Sequence, residues 1–329
     1  MNYKIKSIDD FACYFSNVLL LDLTEQIDNS RSLSTNFNFD PFSSLIYKIS
    51  SHIDFEKIIP LLKESGYENA GIAEMYYNFL RLAKNPNDEN AYTQAKAQYM
   101  KYFDNFSTFE KYNSLMLLEN IALILKNTDE KKYLSEILQL YRFSLEKNIH
   151  IFAGVKEMDA QLFSNMVFFS CEAGEFEWAE NFVEKYISVL PSEFKENIYY
   201  YATAIICFGK KEFEMALKNI LYIKYDFPRF RYETKILTLK IYYELSSFEQ
   251  AFSVIDNLKH LVATNKSLSE YKKKGVINFL RFYYELLKVK SLTQSGFNFD
   301  LEKEISYSNE LQSKNWLLDK IKELKIKGS

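Results

Sequence analysis

Three short segments of this 329-residue chain repeat one another: Phe176-Glu-Trp-Ala179, Phe213-Glu-Met-Ala216 and Phe248-Glu-Gln-Ala251, set 37 and 35 residues apart. After each Ala an apolar residue comes four positions later (Val183, Ile220, Ile255) and another three beyond that (Tyr186, Ile223, Leu258). On an α-helix that spacing draws one continuous apolar stripe. Acids gather in the first turn (Glu175, Glu177, Glu212, Glu214, Glu249) and a lysine lies near the end (Lys185, Lys224, Lys259), as the helix dipole favours. Ser246 and Glu249 form a candidate capping box for the third copy.

Length and composition point the same way. The chain exceeds what one compact core holds, so it forms either two domains or an elongated array. With 47% hydrophobic residues, 8 Gly and 5 Pro, material for a core is ample and residues for tight β-turns are few. Apolar residues recur at helical spacing almost throughout, and strand-like alternation is absent. The 25 Tyr and 28 Phe are read as rings that fill gaps between stacked helices. The expected class is therefore all-α, an α-solenoid of stacked helical hairpins.

The pattern predicts a first helix over 7–23, a polar loop from Asp28 to Asn36, and a helix start at Asp40-Pro41, where proline suits an unpaired first turn. Helices follow near 41–51, 54–65, 68–84, 87–104, 108–126 and 129–148. Pro86 after Asn85, Asn127-Thr128 before Asp129, and Gly154 punctuate them. Tyr67-Glu-Asn-Ala70 echoes the repeated segment, but Glu74 stands where an apolar residue belongs, and the echo is read as chance. Beyond residue 264, helices over 268–294, 300–312 and 314–327 are expected to cap the array, since an open end would expose its stripe. Asp300 reads as an N-cap, and Trp316, Leu317, Leu318 and Ile321 as the apolar face of the last helix, with its lysines in solvent. The expected organisation is an irregular hairpin region over 1–155, three repeats over 156–264 and capping helices over 265–329.

At its repeats the chain resembles the tetratricopeptide family, whose unit of about 34 residues pairs two antiparallel helices and carries a Trp, Leu-Gly, Tyr, Ala, Phe, Pro pattern. Ala179, Ala216 and Ala251 take the family's small-residue position. Pro191 and Pro228 sit where the family proline ends the second helix, and Ala263 replaces it in the third copy. The first-helix half departs. Phe163, Met166, Val167 and Ser170 stand for Trp, Leu, Gly and Tyr in copy one. Tyr200, Thr203, Ala204 and Cys207 do so in copy two, and Lys235, Thr238, Leu239 and Tyr242 in copy three. Leu239 in place of Gly implies wider packing there.

The resemblance implies a ligand face on the first helices. Carried over residue by residue it comprises Gln161, Ser164, Phe168, Ile198, Tyr201, Ile205, Glu233, Ile236, Lys240 and Tyr243. This face is mainly apolar and aromatic, suited to a helix or extended peptide. Phe168, Ile198 and Ile205 have the alternative of packing against the neighbouring half of the protein.

No phosphate loop, dinucleotide fingerprint, HExxH or GxSxG elbow occurs, and no catalytic residue, metal ligand or cofactor is assigned. His52, His150 and His260 stand apart from one another and read as surface or satisfied polar residues. Cys13, Cys171 and Cys207 form no CxxC pair and read as small buried hydrophobes in a reducing compartment. The apolar stretch near the start follows Asp9 and Asp10 with no small-residue cleavage site after it, and no apolar run reaches the roughly 20 residues of a membrane span. The expected location is cytoplasmic. Net charge is −3, which makes no global case for nucleic acid or an anionic membrane. Two local stretches are basic: Lys224, Arg229, Arg231, Lys235 and Lys240 against Asp226 and Glu233, and Lys266, Lys272, Lys273, Lys274 and Arg281 against Glu270. The expected function is a non-enzymatic scaffold that binds another protein or peptide. The alternative is a nucleic-acid-binding helical repeat using the basic stretches near 224–240 and 266–281.

Overall fold

A computed structural model describes residues 11, 14–26, 45, 48–49, 52–66, 69–152, 154–224, 230–266, 268–292, 300–308 and 310–328. Among them no strand occurs, and the chain is all-α. Helix α1 covers 14–26. It is followed by α2 (Phe55–Glu64), α3 (Ala70–Lys84), α4 (Glu89–Lys101), α5 (Thr108–Leu125), α6 (Glu130–Glu146), α7 (Ala160–Glu172) and α8 (Phe176–Tyr186). Then come α9 (Ser192–Gly209), α10 (Phe213–Tyr222), α11 (Arg231–Glu244), α12 (Phe248–Thr264), α13 (Glu270–Leu292), α14 (Asp300–Tyr307) and α15 (Lys314–Gly328). The loop expected over 28–36, the Asp40-Pro41 start, Tyr67, Glu68, Cys13, Asp226, Pro228 and Arg229 lie outside the described residues.

Helix boundaries fall where short polar side chains satisfy free backbone donors. Asp54, Asp88, Asp129 and Asp159 each stand as N-cap and accept from backbone N–H groups two or three residues on. Ser107 and Glu110 close a full capping box at α5. The box expected at Ser246 and Glu249 does not form. Ser247 is the N-cap there, without a side-chain bond, because Ser246 is needed one step earlier at φ 57° to turn the chain.

That turn is the most regular feature of the repeats. Gly174, Lys211 and Ser246 each lie two residues before the repeated Phe, each with positive φ (79°, 65° and 57°). In each copy the following N–H reaches five residues back: Glu175 to the Ser170 carbonyl at 2.8 Å, Glu212 to Cys207 at 2.8 Å and Ser247 to Tyr242 at 2.9 Å. This is the Schellman closure, and the left-handed residue is its requirement. Only the first copy supplies glycine. Since a side chain in this region costs roughly 1–2 kcal/mol, Lys211→Gly and Ser246→Gly are each expected to stabilise by about 0.5–1 kcal/mol net of chain entropy. Urea unfolding checks this; a loss of stability in both would contradict the turn geometry.

Two compact units divide the chain. The first holds Met1–Ser32 and Asp40–Lys195, and the second includes Glu196–Ser329. The boundary falls within α9, so the first copy belongs to one unit and copies two and three, with the C-terminal helices, to the other. This differs from the expected division at 155 and 264. Each unit is a run of helical hairpins stacked on chain neighbours, with α13 also packed on α15. Ala179, Ala216 and Ala251 are all fully buried. Where Ala263 replaces proline, α12 runs on to Thr264 and is 17 residues long, against 11 and 10 for α8 and α10. Alanine, unlike proline, lets the helix run through this position.

The first unit buries Tyr76, Tyr99, Tyr133, Tyr141 and Phe163 completely, in line with the expectation that rings fill the helix interfaces. In the second unit one cluster joins Leu239 and Tyr243 of α11 to Phe279, Tyr283 and Leu287 of α13 and to Leu317 and Ile321 of α15. Helix α14 stops at Tyr307 rather than 312. Past it the chain bonds to α13 instead: Asn278 donates to the Glu310 carbonyl at 2.8 Å, and Gln312 N–H to the Gly275 carbonyl at 3.3 Å. Lys314 donates to the Ser306 carbonyl at 2.6 Å and covers the helix end. Asp300 lies within α14, and the residues before it are outside the described ones. Lys320 is buried, not solvated: its ammonium sits 2.7 Å from both Glu244 and Glu323.

Candidate partner-binding face

In the first unit, α7 carries Gln161, Ser164 and Phe168. Gln161 is half-buried and donates to the Asn165 side-chain oxygen at 2.9 Å. Ser164 is buried and satisfied by the Ala160 carbonyl. Phe168 is different: 42% of its surface is exposed, its ring lies edge-on to Phe169 at 5.1 Å, and Lys126, paired with Glu172 at 3.0 Å, rests over Phe169. A large ring held open beside a salt bridge has the composition of a binding hot spot with a charged rim.

In the second unit the face divides. Ile198, Tyr201 and Ile205 of α9 are buried. Tyr201 packs on Phe230 at 5.2 Å, and burial pushes its phenol well above the usual range. On α11, Ile236 and Tyr243 are buried in the cluster shared with the C-terminal helices. Trp316 of α15 meets Tyr243 edge-on at 5.3 Å, and Lys290 bonds its carbonyl. Lys240 is half-buried, its ammonium 5.8 Å from the Trp316 ring. Glu233 is exposed. Of the residues expected on this face, Gln161 and Phe168 in the first unit and Glu233 and Lys240 in the second keep accessible surface. Ile198, Tyr201, Ile205 and Tyr243 serve the core.

The basic stretches are not bare. Lys224 pairs with Glu196 at 2.6 Å, Lys273 with Glu270 at 2.7 Å, Lys274 with Glu310 at 3.2 Å and Arg281 with Glu304 at 3.1 Å. Glu304 and Glu310 come from a later part of the sequence, which local charge counting does not see. His150 is buried, its Nδ1 3.4 Å from the Ser144 carbonyl, with the imidazole held neutral by burial. His52 and His260 are exposed. Among the described residues, no group of three or more His, Cys, Asp or Glu is placed to hold a metal ion, and no helix is long and apolar enough to cross a membrane.

Sequence reasoning passed over one buried acid. Glu119 sits mid-helix in α5, 2% exposed, and burial pushes its carboxyl up to about 8. Burial raises the phenols of Tyr99, Tyr112 and Tyr141, and the nearby Glu119 carboxylate adds to the effect. The signal was available: residues 115–125 read LMLLENIALIL, apolar on every side of the helix, and such a helix is buried all round.

No family model, curated protein or solved structure matches this chain.

Proposed function

We propose that the chain is a non-enzymatic helical-repeat scaffold that binds another protein or peptide through the first-helix face of its repeats. The observation that carries this reading is Phe168, a large ring left open on that face. The repeat supports it, because the same turn joins the first helix to the second within each of the three copies. The proposed setting is the cytoplasm, because the three cysteines of the sequence make no CxxC pair or disulfide-like framework. The nucleic-acid reading has less support, since carboxylates stand against most cations of the second basic stretch.

Purification of the tagged chain from its native lysate, with nuclease, tests the proposal beside Phe168→Ser. One protein is expected to be retained by the unaltered chain, with recovery falling at least about tenfold in the variant, as for a hot-spot ring. Phe168 is exposed, so the thermal midpoint should stay put. Equal recovery from both chains, or recovery abolished by nuclease, would defeat the proposal. Tyr201→Ala and Tyr243→Ala are unsuitable probes, because both rings are buried.

A further inference from the structure

Helix α1 has two unlike faces. Leu20 and Leu23 have no exposed surface, and Asn17 and Thr24 beside them are 2% and 1% exposed. These positions fall three and four apart, on one side of the helix, while Phe15, Asp22 and Gln26 on the other side are exposed. Hydrogen bonds place the buried side across two further helices of the first unit. The Thr24 hydroxyl donates to the Leu20 carbonyl of its own helix at 2.7 Å and reaches the Tyr76 carbonyl of α3 at 3.3 Å. One residue on, the Asn113 amide of α5 donates to the Glu25 carboxylate at 2.8 Å. Since α3 pairs with α4 and α5 with α6, α1 is seated on the first helices of two successive hairpins. A helix laid into a groove makes such a contact with its receptor; α1 makes it within its own chain.

The occupant fits this seat poorly at two places. Asn17 is buried, yet neither its amide nitrogen nor its amide oxygen has a hydrogen-bond partner among the described residues. Seating α1 takes water from both groups and returns nothing. Near the other end, burial raises the Glu25 carboxyl; the Asn113 bond opposes this, and the charges of Asp22 and Glu110 add to it. Glu110 is buried and held by Ser107 in the α5 capping box, so it does not turn away. On release Asn17 regains water and Glu25 escapes the like charge of Glu110. Both gains bring the opening of α1 below the cost of unfolding the hairpins beneath it.

We infer that α1 is a displaceable internal occupant of a docking site on α3 and α5, and that the external ligand of this site is an amphipathic helix of another protein with an apolar residue in the place of Asn17. Such a helix repeats the contacts of Leu20 and Leu23 and lacks the unpaired amide. It therefore holds the seat more tightly, contact for contact, than α1 does. That margin is what a competitor needs against an occupant tethered to its own site. A second copy of this chain carries the same asparagine and gains nothing by exchange. The site is separate from Phe168 and does not rest on the reading of the α7 face.

The test uses the full chain and two labelled peptides with the sequence of residues 7–26, one native and one carrying Asn17→Leu, read by fluorescence anisotropy and by hydrogen exchange. The Asn17→Leu peptide is expected to bind at least about tenfold more tightly than the native one. Its binding should speed exchange of the α1 amides while α3 and α5 stay protected. In the chain alone, α1 is expected to exchange at least about tenfold faster than α5. Asn17→Leu in the chain itself should slow α1 exchange by about tenfold and weaken peptide binding to match, whereas Leu23→Ala, which loosens α1, should strengthen peptide binding. Exchange of α1 only together with α5 would overturn the inference, as would equal affinity of the two peptides or binding of neither. Dimerisation of the unaltered chain through exchanged α1 helices, seen by sedimentation, would assign the seat to a second copy and overturn it as well.

Discussion

Replacing Glu119 by Gln is expected to stabilise the first unit by about 4 kcal/mol at pH 8 and to change it little at pH 4.5. The folded carboxyl is pushed up to about 8 by burial, while in the unfolded chain it titrates near 4.5. Between those values the unfolded chain releases a proton that the folded chain retains. Stability therefore falls as pH rises through this window, by about 1.4 kcal/mol per pH unit at most. Below 4.5 both states are protonated and the penalty vanishes. Gln keeps the shape of the neutral acid and cannot ionise, so it removes the pH-dependent part alone. Urea unfolding at pH 4.5, 6 and 8, followed by hydrogen exchange across α5 and α6, reads the effect. An equal change at all three pH values would show that Glu119 is charged in the fold and contradict its burial.

Leu239→Ala is expected to cost about 3–4 kcal/mol in the second unit, the range for deleting a fully buried leucine side chain. The resembled family carries a small residue at this position, so a substitution toward its pattern would ordinarily be expected to help. Here Leu239 is fully buried among Phe279, Tyr283 and Leu317, and the Tyr283 hydroxyl donates to its carbonyl at 2.6 Å. The C-terminal helices are shaped around the larger side chain, and truncation leaves a cavity that three aromatic-bearing helices cannot close. A loss below about 1 kcal/mol, well under the usual cost of such a cavity, would show that this layer collapses freely and that Leu239 is only a drift from the family residue.

The helices were legible because their signals are local. Aspartates at 54, 88, 129 and 159 cap by reaching two or three residues along their own chain, and the Phe-Glu-x-Ala segments mark helix starts in all three copies. Ser107 and Glu110 carry the same pattern as Ser246 and Glu249 and do form the box, while Ser246 shows the limit of the rule: a serine with an acid three residues on can be claimed by the turn before it. What covers a face is a long-range matter. Tyr243 is buried because Trp316, far along the chain, lies against it, and Lys320 is buried because Glu244 waits for it across the same contact. Trp316 and Lys320 both lie outside the repeats, so no reading of the repeat alone finds these contacts.

The central claim is that the open ring on α7 meets another protein. Its most direct measurement is site-specific photo-crosslinking in the native cell, with a benzophenone side chain at position 168 and, as the control, at the exposed Leu61 of α2. A single protein adduct from position 168, absent from position 61, is the predicted result. No adduct, the same adducts from both positions, or an adduct to nucleic acid alone would contradict it.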